Sequence, residues 1–201
     1  MKRNVAILVF PEVEVLDFSG PFAVFAAADR VGGGDCFQVF TVAESPGSVR
    51  ADHGLKIVPD HTMESCPRID VLVVPGGAGT RLLLQKPALL EWIRVKARRQ
   101  TELVMGVCAG ALVLARAGLL DGLRVTTHAT SLCALRELAP TAVIEPDTKF
   151  IGDNAIFTAS GASAGIDCAL HAVARLLGEE VAAATARYLG NGSYGGSLPV
   201  E

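Results

Sequence analysis

Four short, mainly apolar runs are spaced along the chain and predict strands that are buried on both faces of a parallel sheet. They are Val5–Phe10, Ile69–Val74, Leu103–Val107 and Ile156–Thr158. Phe37–Val42 predicts a further strand after the first, and Arg124–Thr127 predicts a short one. Each run is as long as an ordinary strand and much shorter than the roughly 20 residues of a membrane-spanning helix. The pattern therefore indicates an interior sheet.

Segments with the apolar spacing of helices separate these strands, and they cover 22–28, Pro87–Arg99, Ser163–Leu177 and Glu179–Leu189. Asp17 or Ser19 is the expected cap of the first helix. Alternation of strands and helices predicts an α/β fold, a mostly parallel sheet with helices on both faces. We expect one domain over residues 1–189 and a flexible tail, rich in Gly and Ser, over 190–201.

Cys108 stands between the strand Leu103–Val107 and a helix that opens with Ala109 and Gly110. A sharp turn at this point would hold the thiol clear of the sheet and near unpaired N–H groups of the helix. The helix dipole favours negative charge there, so we expect the thiol to ionise more easily than usual. The alternative is a small buried cysteine that only packs.

Polar or glycine-rich turns follow the other predicted strands. They are Gly76–Gly77 after the second run, Ser160–Gly161 after the last, and a loop carrying Asp17 after the first. Because the carboxyl ends of parallel strands share one edge of a sheet, these turns should converge on Cys108. A carboxylate beside a thiolate places two like charges together, so one of the two groups must hold a proton. The alternative role of Asp17 is helix capping alone.

The composition argues against several kinds of partner. The net charge of −3 over 201 residues gives no reason to expect nucleic acid or an anionic membrane surface. The four histidines show no metal-ligand spacing with one another or with cysteine, so we expect no bound metal. Five cysteines without a C-x-x-C pair are typical of reduced thiols, and we expect a cytoplasmic protein.

Several segments resemble the ThiJ/PfpI superfamily, whose domain is similar to class I glutamine amidotransferases. The segments extend along nearly the whole chain up to about Leu189 and are Val5–Pro21, Asp70–Gly79, Val107–Gly122, Val125–His128 and Thr158–Asp167. The resemblance implies a flavodoxin-like three-layer sandwich. Asp17 in an LDFSGP-type loop, with the AGLLDG and TTH segments, makes the isonitrile (isocyanide) hydratase branch the most similar.

The resemblance also implies roles for individual residues. Cys108 would be the nucleophile and Asp17 the carboxylate beside its sulfur. Gly76 and Gly77 would present backbone N–H groups to the substrate, and His128 would line the pocket. The family typically forms homodimers, and no metal or organic cofactor is expected. The chain departs from the hydratases at Ala109, where they carry a threonine hydroxyl, so this pocket residue offers no such group.

The leading functional hypothesis is hydration of a small isonitrile to an N-substituted formamide through a Cys108 thioimidate, with Asp17 as acid and base. A glyoxalase-like reaction on a small α-oxoaldehyde would need the same two groups. A third hypothesis is a redox- or ligand-sensing domain without turnover, similar to the N-terminal domains of AraC-type activators. An exposed thiolate of low pKa would suit an oxidant sensor.

Overall fold

Eleven strands and seven helices lie within residues 2–192 of the computed structural model, the part of the chain that the structure describes. The strands are β1 (Arg3–Leu8), β2 (Phe37–Ala43), β3 (Val49–Arg50), β4 (Lys56–Ile57), β5 (His61–Thr62), β6 (Val71–Val74), β7 (Leu103–Val107), β8 (Arg124–Val125), β9 (Val143–Ile144), β10 (Phe150–Asp153) and β11 (Ile156–Ala159). The helices are α1 (Val15–Val31), α2 (Thr80–Leu83), α3 (Pro87–Arg99), α4 (Gly110–Arg116), α5 (Leu132–Leu138), α6 (Ala162–Leu177) and α7 (Glu179–Tyr188).

Seven of the strands form one sheet in the order β10-β11-β7-β6-β1-β2-β5. All neighbours in it are parallel except β10 and β11, which form an antiparallel hairpin at one edge. In the centre, Val5 of β1 pairs with Val39 of β2 on one side and with Val71 of β6 on the other. These side chains are apolar because both faces of a central parallel strand are covered.

Helices cover both faces of the sheet, as two neighbouring residues of β7 show. A Cβ added to Gly106 would lie 2.9 Å from Leu114 of α4, whereas one added to Gly165 of α6 would lie 2.8 Å from the Val107 side chain. Since successive strand residues point to opposite faces, α4 and α6 lie on opposite sides. Helices α1, α6 and α7 pack together on one side, and α4 contacts α3 and α5 on the other. The expected three-layer, flavodoxin-like α/β sandwich is confirmed.

The start of the first helix differs from the prediction. It begins at Val15, with the Glu14 side chain accepting a hydrogen bond from the Leu16 N–H, so that Asp17 lies in the first turn of α1 and not in the preceding loop. Pro21 lies inside this helix and has no N–H to donate to the Asp17 carbonyl four residues earlier. The helix continues through it because one face, including Phe18 and Phe25, is buried.

Two strands are shorter than predicted. The second central strand begins at Val71, two residues later than expected, and Arg124–Thr127 forms a strand only over Arg124–Val125. That strand pairs with β9 in a separate two-stranded parallel sheet. Within the described residues, no helix is long and apolar enough to cross a membrane. Of the predicted tail 190–201, residues 193–201 lie outside the part of the chain that the structure describes.

Candidate active site

Cys108 lies at a sharp turn between β7 and α4, with φ of 55°. Only a few per cent of residues other than glycine adopt such a positive φ, so the surrounding structure must hold it in place. The Cys108 N–H donates to the Ala159 carbonyl at 2.9 Å, and the Thr127 hydroxyl donates to the Cys108 carbonyl at 2.7 Å. The turn therefore has a backbone anchor on β11 and a side-chain anchor from the segment after β8.

The Gly110 position is close to the neighbouring strand, because a Cβ added there would collide with the Val74 carbonyl oxygen. Glycine at this point allows the first turn of α4 to approach the end of β6. The turn after β6 is thereby brought beside Cys108. The strand-to-helix elbow expected from the glycines is present in the structure.

Asp17 and Cys108 both lie against the backbone of Gly76. The Asp17 side chain is fully buried, and the Gly76 N–H donates to its Oδ2 atom at 3.1 Å. A Cβ on Gly76 would lie 2.8 Å from that same Oδ2 and 3.0 Å from the Cys108 Cβ. No well-formed hydrogen bond reaches the Asp17 Oδ1 atom from the described residues, although the thiol lies close enough to affect the carboxyl. The acid and the thiol, far apart in sequence, thus form one pair.

Burial raises the pKa of both groups in this pair, and the charge of Asp17 further raises the pKa of the thiol. Burial raises the pKa of the Asp17 carboxyl to about 6, although the Gly76 N–H opposes the shift. Burial, followed by the charge of Asp17, raises the pKa of the Cys108 thiol to about 12. Between these two values the pair holds one proton and one negative charge.

The thiol pKa therefore moves in the opposite direction to the one expected from the helix dipole. The Ala109 N–H does donate to the sulfur and lowers the thiol pKa, as a helix N-terminus should. Burial and the adjacent carboxylate outweigh this single donor. A thiolate forms at neutral pH only when the proton resides on Asp17 instead.

A cavity of about 490 Å³ opens beside the sulfur, and Cys108, Gly77 and Ala109 line it. Neither Asp17 nor Gly76 is part of this lining. The Gly76 N–H, expected to face substrate, is directed at Asp17 instead. The Gly77 N–H makes no hydrogen bond within the described part of the chain, and Gly77 itself lines the cavity.

His128 lies beside the elbow but does not line the cavity. Its ring lies near the turn after β11, since a Cβ added to Gly161 would be 3.9 Å from its Cδ2 atom. The Nδ1 atom is 2.8 Å from the Thr130 hydroxyl. Its charge lowers the pKa of Asp17, the smallest of the contributions at that carboxyl. The structure thus brings His128 near the acid and places it away from the cavity wall beside the sulfur.

Sequence reasoning missed three features of the site. Thr127 is the last residue of a predicted strand, and its anchoring hydrogen bond to the elbow has no signal in the sequence. Thr80 and Arg81 also line the cavity, at the start of α2. No pattern in the sequence marks these two residues. They reach the cavity only because of the three-dimensional course of the glycine-rich turn before them. Within residues 2–192, no group of three or more His, Cys, Asp or Glu side chains could hold a metal ion.

The comparisons with known proteins define the family. Residues 3–175 match the model of the DJ-1/PfpI family. Because this match covers most of the chain, the protein belongs to that family, and the resemblance noted from its sequence is confirmed. A crystal structure of a ThiJ/PfpI family protein from Pseudomonas syringae superposes with a TM-score of 0.84 at 29% identity, covering 100% of this chain and 78% of that one.

Two relatives of the chain are named for different functions. The chain is 39% identical over 183 residues to the isonitrile hydratase of Pseudomonas putida, covering 90% of this chain and 75% of that enzyme. It is 29% identical over 182 residues to the HTH-type transcriptional regulator GbdR of Pseudomonas aeruginosa, covering 90% of this chain and 49% of the regulator. The chain thus spans about half the length of that regulator. The family therefore includes proteins named as an enzyme and proteins named as regulators.

Proposed function

We propose that the protein hydrates small isonitriles to N-substituted formamides, with Cys108 as nucleophile and Asp17 as proton donor and acceptor. The observation that supports this most directly is the pairing of the buried Asp17 with the half-buried Cys108, which together hold one proton between about pH 6 and about 12 beside an open cavity. An attack by sulfur coupled to protonation of the attacked carbon needs one nucleophile and one proton. The 39% identity to an isonitrile hydratase supports the same choice of substrate.

In the first step, sulfur attacks the terminal carbon of the isonitrile. A carbon–sulfur bond forms while the shared proton moves to that carbon, and the product is a thioimidate, with a carbon–nitrogen double bond retained. Asp17 is left as the carboxylate. Its high pKa favours this role, because a carboxyl that titrates near neutral pH can both give and take a proton.

In the second step, water attacks the thioimidate carbon and gives a proton to the Asp17 carboxylate. The carbon–sulfur bond then breaks, and the formamide leaves with one water hydrogen on nitrogen and the water oxygen on carbon. The remaining proton returns to the Cys108–Asp17 pair. Apolar side chains of the cavity, Leu84, Leu112 and Ala134, suit the hydrocarbon part of the substrate.

Formamide production from an alkyl isonitrile tests the proposal. We expect the wild-type protein to release the formamide and Cys108→Ala to lose at least about 10³-fold of that rate, because no other group can form the thioimidate. Cys133→Ala is the matched control, since Cys133 is an exposed free thiol outside the cavity lining. Equal rates in wild type and Cys108→Ala, or no formamide from either, would contradict it.

A ligand-binding domain without turnover is the second candidate, and the regulator relatives favour it. Under this alternative, the cavity binds a small molecule, and Cys108→Ala changes neither its affinity nor its chemical form. Oxidant sensing is less well supported, because burial and Asp17 raise the pKa of the Cys108 thiol. The glyoxalase-like alternative uses the same pair. It would be favoured if the wild-type protein consumed methylglyoxal and Cys108→Ser did not.

A further inference from the structure

Arg81 is a cation without a partner in the cavity that contains the proposed nucleophile. Its side chain lines that cavity beside Thr80 and is exposed. No hydrogen bond or ion pair engages it within the described part of the chain. By contrast, Arg3 pairs with Glu102 at 3.1 Å, and Arg94 pairs with Glu91 at 2.6 Å. A guanidinium presents a fork of donors that matches a carboxylate, so this one is available to a ligand.

Thr80, the neighbour of Arg81, adds a second unsatisfied donor to the same wall. The residue is 1% exposed, and its hydroxyl has no hydrogen-bond partner in the described residues. A buried hydroxyl without a partner is costly, and most such groups in proteins have one. An acceptor oxygen that reached this hydroxyl would supply the partner that it lacks.

The charge distribution restricts where such an acceptor can lie. The Cys108–Asp17 pair carries one negative charge, and Glu14 raises the pKa of both of its members. An anion would be repelled at this end of the cavity, whereas Arg81 attracts it. The wall also includes the apolar residues Leu84, Leu112 and Ala134, which can pack against a hydrocarbon chain. A bifunctional molecule with a neutral reactive end and an anionic far end matches all three features.

We infer that the preferred substrates are isonitriles that carry a carboxylate at the end remote from the reacting carbon, with Arg81 binding that carboxylate and Thr80 hydrogen bonding to it. The inference rests on the proposed function for the reaction itself. It adds the substrate class and a specificity-determining residue outside the Cys108–Asp17 pair. The hydrocarbon between the two ends lies along the apolar wall.

The test compares two isonitriles of matched shape. One is 4-isocyanobutanoate, and the other is 1-isocyano-4-methylpentane, in which two methyl groups replace the carboxylate oxygens. We expect the wild type to prefer the anion in kcat/KM, and the ratio of the two values to fall about tenfold or more in Arg81→Gln. Arg81→Lys should keep part of the preference. Arg136→Gln is the matched control, since Arg136 is exposed on α5 and outside the cavity lining.

A second readout works without turnover. The product analogue 4-formamidobutanoate should protect Cys108 from alkylation by iodoacetamide in the wild type, and this protection should weaken about tenfold in Arg81→Gln. An unchanged substrate ratio and unchanged protection in Arg81→Gln would overturn the inference. If neither isonitrile reacts but protection still depends on Arg81, the hydratase proposal fails and the anion site stands. If neither reacts and protection is independent of Arg81, both fail.

Discussion

A buried carboxyl of raised pKa links the proposed chemistry to stability at the scale of single residues. Asp17 is completely buried, and its pKa rises from 3.8 to about 6 on folding, mainly through loss of hydration. The folded protein therefore disfavours the charged form of this group. Each pKa unit corresponds to about 1.4 kcal/mol, so at neutral pH Asp17 opposes folding by about 3 kcal/mol. We interpret this cost as the consequence of keeping a proton beside the sulfur.

Asp17→Asn should therefore stabilise the protein at pH 7, by about 1–3 kcal/mol in the free energy of unfolding. The amide oxygen can still accept from the Gly76 N–H, and the charge is gone. The change is stabilising because the pKa of Asp17 is higher in the folded state than in the unfolded state. Below 3.8 the carboxyl is neutral in both states, so the gain should shrink as pH falls from about 6 toward 4. Urea unfolding of the wild type and the variant at several pH values measures this gain in the free energy of unfolding.

Asp35→Asn provides the control for this stability experiment, because Asp35 is exposed and follows the opposite end of α1 from Asp17. It should change the free energy of unfolding by less than about 0.5 kcal/mol at every pH. A gain in Asp17→Asn that is equal at pH 7 and pH 4 would show that the carboxyl charge is not its cause. Formamide release should fall in Asp17→Asn by about 10²–10⁴-fold, since the proton donor is lost.

At this scale the sequence predicts which residue types could react but not their electrostatic state. Cys108 and Asp17 could be paired from the resemblance, because the motif segments carry both. The direction of the thiol pKa could not be obtained in that way. It depends on how deeply the sulfur is buried and on its distance from the carboxylate, and both depend on the Gly76 turn lying between them.

The elbow is the element on which the site depends. Cys108 adopts a strained positive φ, and two hydrogen bonds to its backbone oppose relaxation. One is made by the Ala159 carbonyl of β11, and the other by the Thr127 hydroxyl, which is fully buried. Loss of the second would leave the Cys108 carbonyl with only the longer, 3.4 Å contact from the Ala111 N–H. The sulfur would then be held less firmly.

Thr127→Val should lower the free energy of unfolding by about 1–3 kcal/mol, because it removes a buried donor and leaves its acceptor poorly paired. We expect kcat for formamide release to fall about tenfold or more with a small change in KM, since the nucleophile and not the substrate wall is displaced. Thr127→Ser keeps the hydroxyl and should restore most of kcat. If the Val and Ser variants lost the same activity, the hydrogen bond would not be what positions Cys108.

Element boundaries show what the hydrophobic pattern can and cannot predict. Helix α3 has the bounds expected from its amphipathic spacing, Pro87–Arg99, because Pro at its first position and a polar end are local signals. Helix α1 begins earlier than expected, since its cap is Glu14 and Pro21 lies within it. A proline in a helix interior contradicts local propensity, and only burial of the surrounding turn overcomes it.

At the scale of the whole molecule, strand order creates the site. Strands β1, β6, β7 and β11 are adjacent in the sheet, so the turns that follow them meet at one edge. Apolar runs predict that these strands exist and are parallel, but they contain no information on which strand lies beside which. The order itself is known only from the structure. The homodimer expected from the resemblance and the cytoplasmic location expected from the cysteines are not tested by one folded chain and stay predictions.

The most direct test of the account is the mass of the Cys108 peptide from protein quenched with acid during a single turnover of an alkyl isonitrile. The account predicts a transient adduct on Cys108 that equals the added mass of one isonitrile and decays as the formamide appears. It requires no adduct on the other four cysteines. Formamide that accumulates while Cys108 stays unmodified at every quench time would contradict it.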